Sequence, residues 1–413
     1  MLDPSRKFYV PDQVLEVTMA IKANDVPALG YVQYSIDTQK DSHKETADKK
    51  VLENKYYTIE VEENGSLTIV DKANNVTYKN QGILVENGDD GDSFNYSPPR
   101  KDMEVFSNES KCTVKISGSD IYDQAEIHFD MVVPADLDER AEGKVSVTML
   151  VDMTVALRKD SKVIDFNVKV DNKGLSHRLC VLFDSQIVSA FNYADQQFGL
   201  IKRPNYYEKE MKLYMESMNN KTEKKAGIQE LANWANDQST WQEPPISIEP
   251  TQSYVSLTDG KTGIAVIPQG VREYEVLDDS KIRLTLFRTY GFMGKENLIY
   301  RPGRASGERI IETPAAQLLK EMEFNFGFTS YAGDINDSDI DTLAKQYNTN
   351  LEVYTYAEFL NGRLIFSQRE IEGQNAKIHS LFETEGNLVV SAVKKAEEDD
   401  GYIIRLYNGK DHK

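Results

Sequence analysis

The sequence is poor in histidine, cysteine, tryptophan and positive charge. Its 413 residues include five histidines, two cysteines and two tryptophans, and 67 acidic residues outnumber 48 basic ones, which gives a net charge of -19. Proteins that bind nucleic acids need clustered cations to contact phosphates, and anionic membrane surfaces attract the same kind of cluster. The composition therefore predicts no nucleic-acid partner and no membrane partner.

Long apolar runs are also missing. No segment approaches the roughly 18 consecutive apolar residues that suggest a transmembrane helix, and the N-terminal stretch MLDPSRKFYV lacks the apolar core of a secretory signal. Cys112 and Cys180 lie in strand-like surroundings, where reduced thiols of a protein core are expected. Together these features predict a cytoplasmic protein.

Motifs for metal or nucleophilic catalysis are absent as well. The histidines show no HxH, HxxxH or HExxH spacing, and there is no CxxC pair, so the chain is not expected to hold a complete zinc site. No GxSxG elbow, P-loop or GxGxxG motif occurs, which argues against a serine hydrolase and a nucleotide-binding domain. We expect no cofactor in this chain.

What the sequence does contain is alternation of apolar and polar residues, which is typical of strands. Residues 55–79 predict a three-stranded meander with a tight turn at Asn64-Gly65. Further strands are predicted at residues 144–158, 163–170, 252–257, 263–267, 282–288, 322–328, 388–393 and 402–406. Many short strands without repeated βαβ units favour an all-β protein built from sandwiches.

Helical patterns are few. Residues 338–347 predict a helix with Ser338 at the N-cap, whereas the charged stretch 206–235 is predicted to be solvated surface or loop. The length is sufficient for two or three domains. We divide the chain into an N-terminal piece (1–45), a large β region (46–332) and a smaller C-terminal β region (345–413).

The segment NGDDGDSFNYSPP, residues 87–99, is the densest group of polar and aromatic residues. Asp89, Asp90 and Asp92 fall within four positions and precede Phe94 and Tyr96. Three interpretations stay open: a solvated turn, a calcium loop whose spacing differs from an EF-hand, and a loop that faces a sugar. In the last case carboxylates accept hydrogen bonds from hydroxyls while aromatic rings cover the apolar face of a pyranose.

A second candidate segment is rich in arginine. Residues 288–308 carry Arg288, Arg301 and Arg304 among glycines and aromatic residues. These arginines could bind a carboxylate or a hydroxyl-rich ligand through forked hydrogen bonds, or pair with acids such as Asp89 and Asp92. Both tryptophans fall in a third segment, residues 234–245, which predicts either core packing or a platform for a sugar ring.

Many of these segments, taken in order, resemble one known family. They are ENKYYTIEV, GSLTIVDK, NGDDGDSFNYSPP, FGLIKRP, LTDGKTGIAVIPQGVREYEV, LTLFRTYGFMGK, YRPGRASG, Thr313-Pro314 and VVSAVKKAEEDDGYIIRLYN. The resemblance is to the C-terminal β region of glycoside hydrolase family 38, the α-mannosidases, which include the bacterial mannosylglycerate hydrolases. It extends over about residues 10–408.

The resemblance implies a large antiparallel supersandwich of the galactose-mutarotase type, with smaller β-sandwich modules beside it. Residues 1–45 would then be the remnant of a small β module and a linker, 46–332 the supersandwich, and 345–413 a truncated small β module. The implied chemistry is retaining hydrolysis of α-mannosidic bonds by a carboxylate nucleophile and an acid/base carboxyl, with zinc bound to the sugar hydroxyls.

In that family the zinc ligands and the nucleophile belong to an N-terminal β/α domain and a helical bundle, which would precede residue 1. The chain is therefore expected to be a piece of a longer enzyme and inactive alone. Its expected partners are the missing catalytic domain and a mannose-containing glycan or mannoside, and the oligomeric state stays open. No catalytic residue is assigned, and the residues expected near the substrate are Asp92, Tyr96, Arg301 and Arg304.

Two other functions are weighed against this one. The first is a carbohydrate-binding module that acts without catalysis, for which the acidic and aromatic loop and the two tryptophans of residues 234–245 are the evidence. The second is a mutarotase or lyase on the same scaffold, which would need a histidine as general acid or base. In the large β region only His128 and His177 could serve.

Overall fold

The structure is a computed structural model. It describes residues 21–34, 46–47, 49–220, 243–302, 310–353, 378–383, 385 and 388–409. Within this part of the chain, no helix is long and apolar enough to cross a membrane.

The largest sheet has ten antiparallel strands. They are β2 (Thr46–Ala47), β9 (Lys111–Gly118), β10 (Tyr122–Val133), β11 (Val147–Arg158), β12 (Ile164–Asp171), β14 (Phe191–Gln196), β15 (Gly199–Pro204), β17 (Val255–Thr258), β18 (Thr262–Gln269) and β23 (Glu321–Ala332). Their spatial order is β15-β14-β17-β18-β23-β12-β11-β10-β9-β2. Burial alternates along β10 and β11, as expected for strands with one face on a core.

A second antiparallel sheet has six strands and carries the candidate site at one edge. These strands are β7 (Ile83–Gly88), β8 (Val105–Phe106), β13 (His177–Asp184), β16 (Glu249–Pro250), β19 (Glu273–Leu277) and β20 (Lys281–Arg288). Their order is β16-β19-β20-β13-β7-β8, so β13 lies between β20 and β7.

The remaining sheets of the described residues are smaller. A four-stranded meander contains β3 (Val51–Glu53), β4 (Tyr57–Val61), β5 (Leu67–Asp71) and β6 (Val76–Gln81). Three two-stranded sheets pair β1 (Gly30–Val32) with β24 (Ile378–Ser380), β21 (Phe292–Met293) with β22 (Ile311–Glu312), and β25 (Val389–Lys395) with β26 (Tyr402–Tyr407). The predicted meander and the predicted C-terminal strand pair are both confirmed.

Three α-helices occur among the described residues: α1 (Leu137–Glu142), α2 (Glu208–Asn220) and α3 (Ile340–Asn348). The predicted helix corresponds to α3, but its N-cap is Asp339 rather than Ser338. Residues 206–235 are predicted to be solvated surface or loop; their described part contains the helix α2, most of whose described residues are exposed, as expected for solvated surface. Residues 221–242, with both tryptophans, lie outside the described part of the chain.

The three larger sheets share one hydrophobic core. Phe183 on β13 contacts Phe166 on β12 and Phe328 on β23, with ring centroids 5.4 Å apart in both pairs. Tyr78 on β6 meets Phe328 edge to face at 5.9 Å. All four rings are buried. Each sheet thus contributes a ring to the same cluster, and the position of one sheet depends on the others.

The chain folds into two compact units. One consists of residues 42–357 and 385–413 and contains the large sheets. The other consists of residues 1–41 and 358–384, and its described part is the β1–β24 pair, in which Tyr31 contacts the ring of His379. The three-segment division at 1–45, 46–332 and 345–413 stays a prediction.

Replacing Phe183 with alanine should lower the free energy of unfolding by about 3–5 kcal/mol, because the change leaves a cavity where three sheets meet. Urea denaturation measures this loss. Phe191→Ala, at a ring that is 43% exposed, is the matched control and should cost less than about 1 kcal/mol. Equal losses for the two variants would contradict a core shared by the sheets.

Candidate functional site

The candidate site is formed where two strands of the six-stranded sheet end. Strands β7 and β20 are both antiparallel to β13, with Gly88 opposite His177 and Arg288 opposite Arg178. Because both strands run in the same direction, their carboxyl ends meet at one edge of the sheet. The segments that follow are called the first loop (residues 89–99) and the second loop (residues 289–302). They largely coincide with the two segments selected from the sequence.

Arg288, the last residue of β20, binds the start of the first loop. Its Nε lies 2.6 Å from Asp89 Oδ2 and its Nη2 lies 3.2 Å from Asp89 Oδ1. The same Nη2 donates to the carbonyl oxygens of Asp92 and Asn95, each at 2.9 Å. A β carbon at Gly91 would stand 2.1 Å from the Asn95 carbonyl oxygen, so this close approach of backbone requires glycine.

Asp92 is fully buried and receives hydrogen bonds from both loops. Its Oδ1 accepts from the N–H groups of Phe94 (2.9 Å) and Asn95 (3.1 Å), which forms an Asx turn. Its Oδ2 accepts from the Lys295 N–H at 2.8 Å and is paired with the Arg301 guanidinium. Burial by itself would raise the pKa of Asp92, but the hydrogen bonds from Arg301 and the turn outweigh it and hold this pKa below its ordinary value.

Arg301 and Lys295 complete the connection between the loops. Arg301 is 4% exposed, and it also donates to the Lys295 carbonyl oxygen at 3.1 Å and to the side-chain oxygen of Asn95. The Lys295 ammonium pairs with the partly exposed Asp90. Two acid–base pairs therefore join the two loops, a third ties the first loop to the end of β20, and the loops form one structural unit.

Tyr96 packs beneath the first loop rather than at its surface. The Arg178 guanidinium lies 3.9 Å from the centre of the Tyr96 ring, and the Asn87 side chain donates to the Tyr96 hydroxyl at 3.1 Å. The ring of Tyr300 meets it edge to face at 5.9 Å. Burial raises the pKa of the Tyr96 hydroxyl, which therefore stays protonated.

Three of the four residues predicted to lie near a substrate are thus brought to one edge of the sheet. Asp92 and Arg301 contact each other directly, and Tyr96 lies in the same loop as Asp92. All three are buried. Arg304 lies outside the described residues.

The structure also decides between the interpretations of the charged residues. Arg288 and Arg301 pair with Asp89 and Asp92, which is the ion-pair alternative. Because these two aspartates are buried, the first loop is not a simple solvated turn. No group of three or more His, Cys, Asp or Glu side chains in the described ranges could hold a metal ion.

Phe94 belongs to the first loop but is not among the four residues predicted to lie near a substrate. Its N–H donates to Asp92 within the Asx turn, and the residue is 59% exposed. Single exposed apolar side chains are common on protein surfaces, and loops held by a rigid scaffold often carry binding residues. The sequence placed Phe94 in an acidic, aromatic loop, but the burial of its charged neighbours could not be read there.

The two histidines of the large β region do not form one site. His128 on β10 is partly exposed, and its ring nitrogens lie 2.7 Å from Asp152 and 3.2 Å from Asp130. The hydrogen bond with Asp152 raises the pKa of His128. His177 is buried in the other sheet and contacts Glu86. Their separate sheets and partners give no support to a histidine pair acting on one substrate.

Comparisons with known proteins identify the family and the relatives that this chain resembles. Residues 52–292 match the family model of the glycosyl hydrolases family 38 C-terminal domain. A curated protein of Halalkalibacterium halodurans that carries the name "Putative mannosylglycerate hydrolase" is 24% identical over 379 residues, which cover 87% of this chain and 36% of that protein.

Two solved structures share the fold. An alpha-mannosidase from Enterococcus faecalis V583 superposes with a TM-score of 0.68 at 22% identity, over 89% of this chain and 38% of that one. A glycosyl hydrolase family 38 protein from Enterococcus faecalis gives a TM-score of 0.67 at 21% identity, over 90% and 40%. The chain thus spans little more than a third of the length of these relatives.

The described fold is therefore an all-β, antiparallel supersandwich, and the predicted fold class is confirmed. The family model covers more than half of the chain. The chain belongs to the glycosyl hydrolase family 38 C-terminal domain family, as the resemblance implied.

Asp92→Asn should cost about 3–5 kcal/mol of the free energy of unfolding, because it leaves the buried Arg301 without its counter-charge. Asp90→Asn is the matched control. Asp90 pairs with a partly exposed lysine, so its loss should be about 0–1 kcal/mol. Chemical denaturation of both variants measures the difference, and similar losses would show that the Asp92–Arg301 pair does not hold the loops.

The contribution of Asp92 should also disappear in acid. Its folded-state pKa lies below the unfolded value of about 3.9, so the stabilisation is complete above that value and is lost as the pH falls through the folded-state pKa. The stability gap between the wild type and Asp92→Asn should therefore be constant near neutral pH and shrink below about pH 4. A gap that persists in strong acid would contradict this account.

Proposed function

We propose that this chain is the C-terminal, substrate-supporting region of a retaining, zinc-dependent α-mannosidase. Membership of the family carries the proposal, because the matched residues 52–292 include the whole first loop and the beginning of the second. In the proposal, the nucleophile, the acid/base carboxyl and the zinc ligands belong to polypeptide outside these 413 residues. The longer relatives leave room for such a catalytic domain.

The described residues do not fit zinc. In the first loop, Asp89, Asp90 and Asp92 are each paired with an arginine or a lysine. A divalent cation would have to displace these partners. We therefore assign no chemical step to this chain and propose that it is inactive without the catalytic domain.

The proposed contribution of the chain is contact with the mannoside. Phe94 offers an exposed apolar ring to the hydrophobic face of a pyranose. Asp92, Tyr96 and Arg301 support it from within the loops, and Arg304 is proposed to lie close to the same sugar. A preorganised contact of this kind binds without first ordering the loop, and so loses less entropy on binding.

A carbohydrate-binding module without catalysis is the second candidate. The observation in its favour is the exposed ring of Phe94 in the acidic first loop. This candidate predicts that the chain alone binds mannosides tightly and that no catalytic partner increases turnover.

The first test is an activity assay on an aryl α-mannoside with added zinc. The chain alone should show no turnover, whereas the complete polypeptide that includes the proposed catalytic domain should hydrolyse the substrate with retention of anomeric configuration. Turnover at an enzyme-like rate by the chain alone would contradict the proposal, and so would an inactive complete polypeptide.

The second test concerns Phe94. In the complete polypeptide, Phe94→Ala should raise KM about three- to tenfold, since one aromatic contact is worth about 0.5–1.5 kcal/mol. Thermal stability should hardly change, because the ring is exposed. Phe198→Ala is the matched control, at a ring with 60% exposure, and should leave KM unchanged. Equal effects of the two variants would remove the first loop from the substrate contact.

A further inference from the structure

The first residue of each loop, which we call its root, is hydrogen-bonded to one short segment, Ser176-His177. His177 is the first residue of β13; its N–H donates to Thr289 Oγ1 at 3.0 Å, and its carbonyl oxygen accepts from the Thr289 N–H at 2.7 Å. Thr289 begins the second loop. The carbonyl oxygen of Ser176 accepts from the N–H of Asp89, the first residue of the first loop, at 2.9 Å. A shift of this segment would move both loops.

The ring of His177 is buried, and its Nε2 lies 2.8 Å from Asn172 Oδ1. The orientation of the Asn172 amide is fixed by its other contacts. Its Nδ2 donates to the carbonyl oxygens of Gln317 and Leu318 at 3.0 and 3.2 Å, and its Oδ1 accepts from the Gly174 N–H. The atom facing the ring is therefore an acceptor, and Nε2 must carry a hydrogen.

The other ring nitrogen also faces an acceptor. His177 Nδ1 lies 3.0 Å from Glu86 Oε1, which is paired with Arg140 as well. Glu86 Oε2 has no hydrogen-bond partner among the described residues. A buried carboxylate beside a guanidinium accepts hydrogen bonds, so Nδ1 must also carry a hydrogen. With both nitrogens donating, the ring is an imidazolium.

The buried charged groups around the ring are Glu86 on β7 and Arg140 on α1. Asp102 lies 3.4 Å from Arg140 and is exposed to solvent. The ring of Phe287 on β20 covers another side, 5.4 Å away and edge to face.

We propose that His177 is a positioning residue, held as an imidazolium, that fixes the roots of both loops and thereby the sugar contact. Removing the proton turns one nitrogen into an acceptor that faces another acceptor, so one hydrogen bond is lost and the loop roots loosen. The link to mannoside binding rests on the proposed function. The positioning role itself can be measured without any sugar.

Nitrogen NMR of the full chain labelled with ¹⁵N-histidine tests the protonation state directly. The signals of His177 are assigned by their loss in His177→Gln. At neutral pH, both ring nitrogens should show the shifts of a protonated imidazolium. A neutral tautomer, with one protonated and one bare nitrogen, would overturn the proposal, and this measurement needs no variant other than for assignment.

Hydrogen exchange tests the consequence for the loops. The protection factors of the Asp89 and Thr289 amides should fall together, by about tenfold, in His177→Gln, because the change removes the ring that donates to both Glu86 and Asn172. The control is His128→Gln, a change at the partly exposed histidine of the other sheet, which should keep the wild-type profile. Protection that follows the wild-type profile in His177→Gln would overturn the proposal.

A failure of the proposed function is distinguishable from a failure of this inference. In the complete polypeptide, His177→Gln should raise KM for an aryl α-mannoside together with the loss of amide protection, and His128→Gln should leave KM unchanged. If His177→Gln keeps the wild-type KM while the NMR and exchange results hold, the positioning role stands and the sugar contact at these loops is wrong.

Discussion

Strand β13 is hydrogen-bonded to β7 on one side and to β20 on the other, and its Phe183 packs against rings of the ten-stranded sheet. The same strand begins at His177, where the roots of the two loops are attached. Packing of the core and geometry of the candidate site are therefore joined by one strand. The loops can be rigid because the sheet edge that carries them is itself fixed by the shared core.

Much of the fold could be predicted from the sequence, because alternation and turn residues are local signals. Asn64-Gly65 lies between β4 and β5 as expected, and the long strand predicted from residue 144 exists as β11. That strand begins later, at Val147, because the Lys144 N–H bonds back to the Glu139 carbonyl oxygen and closes α1. A contact of this kind overrides the local pattern and cannot be read from it.

The candidate site could be predicted only in part. Composition identified the two loops, but their meeting depends on the order β20-β13-β7, which no local pattern encodes. Burial was the other missing quantity. Asp92 is buried and Phe94 is exposed, the reverse of what hydropathy suggests, because the charges of the first loop are neutralised by partners some 200 positions further along the chain.

In the proposed function, the two loops form a surface for a mannoside that a separate catalytic domain hydrolyses. The most direct measurement is a crystal structure of the complete polypeptide with a slowly hydrolysed α-mannoside bound. The account predicts that the ring of Phe94 contacts the sugar and that the Asp92–Arg301 pair stays intact beneath it. A mannoside bound with both loops turned away from it would contradict the account.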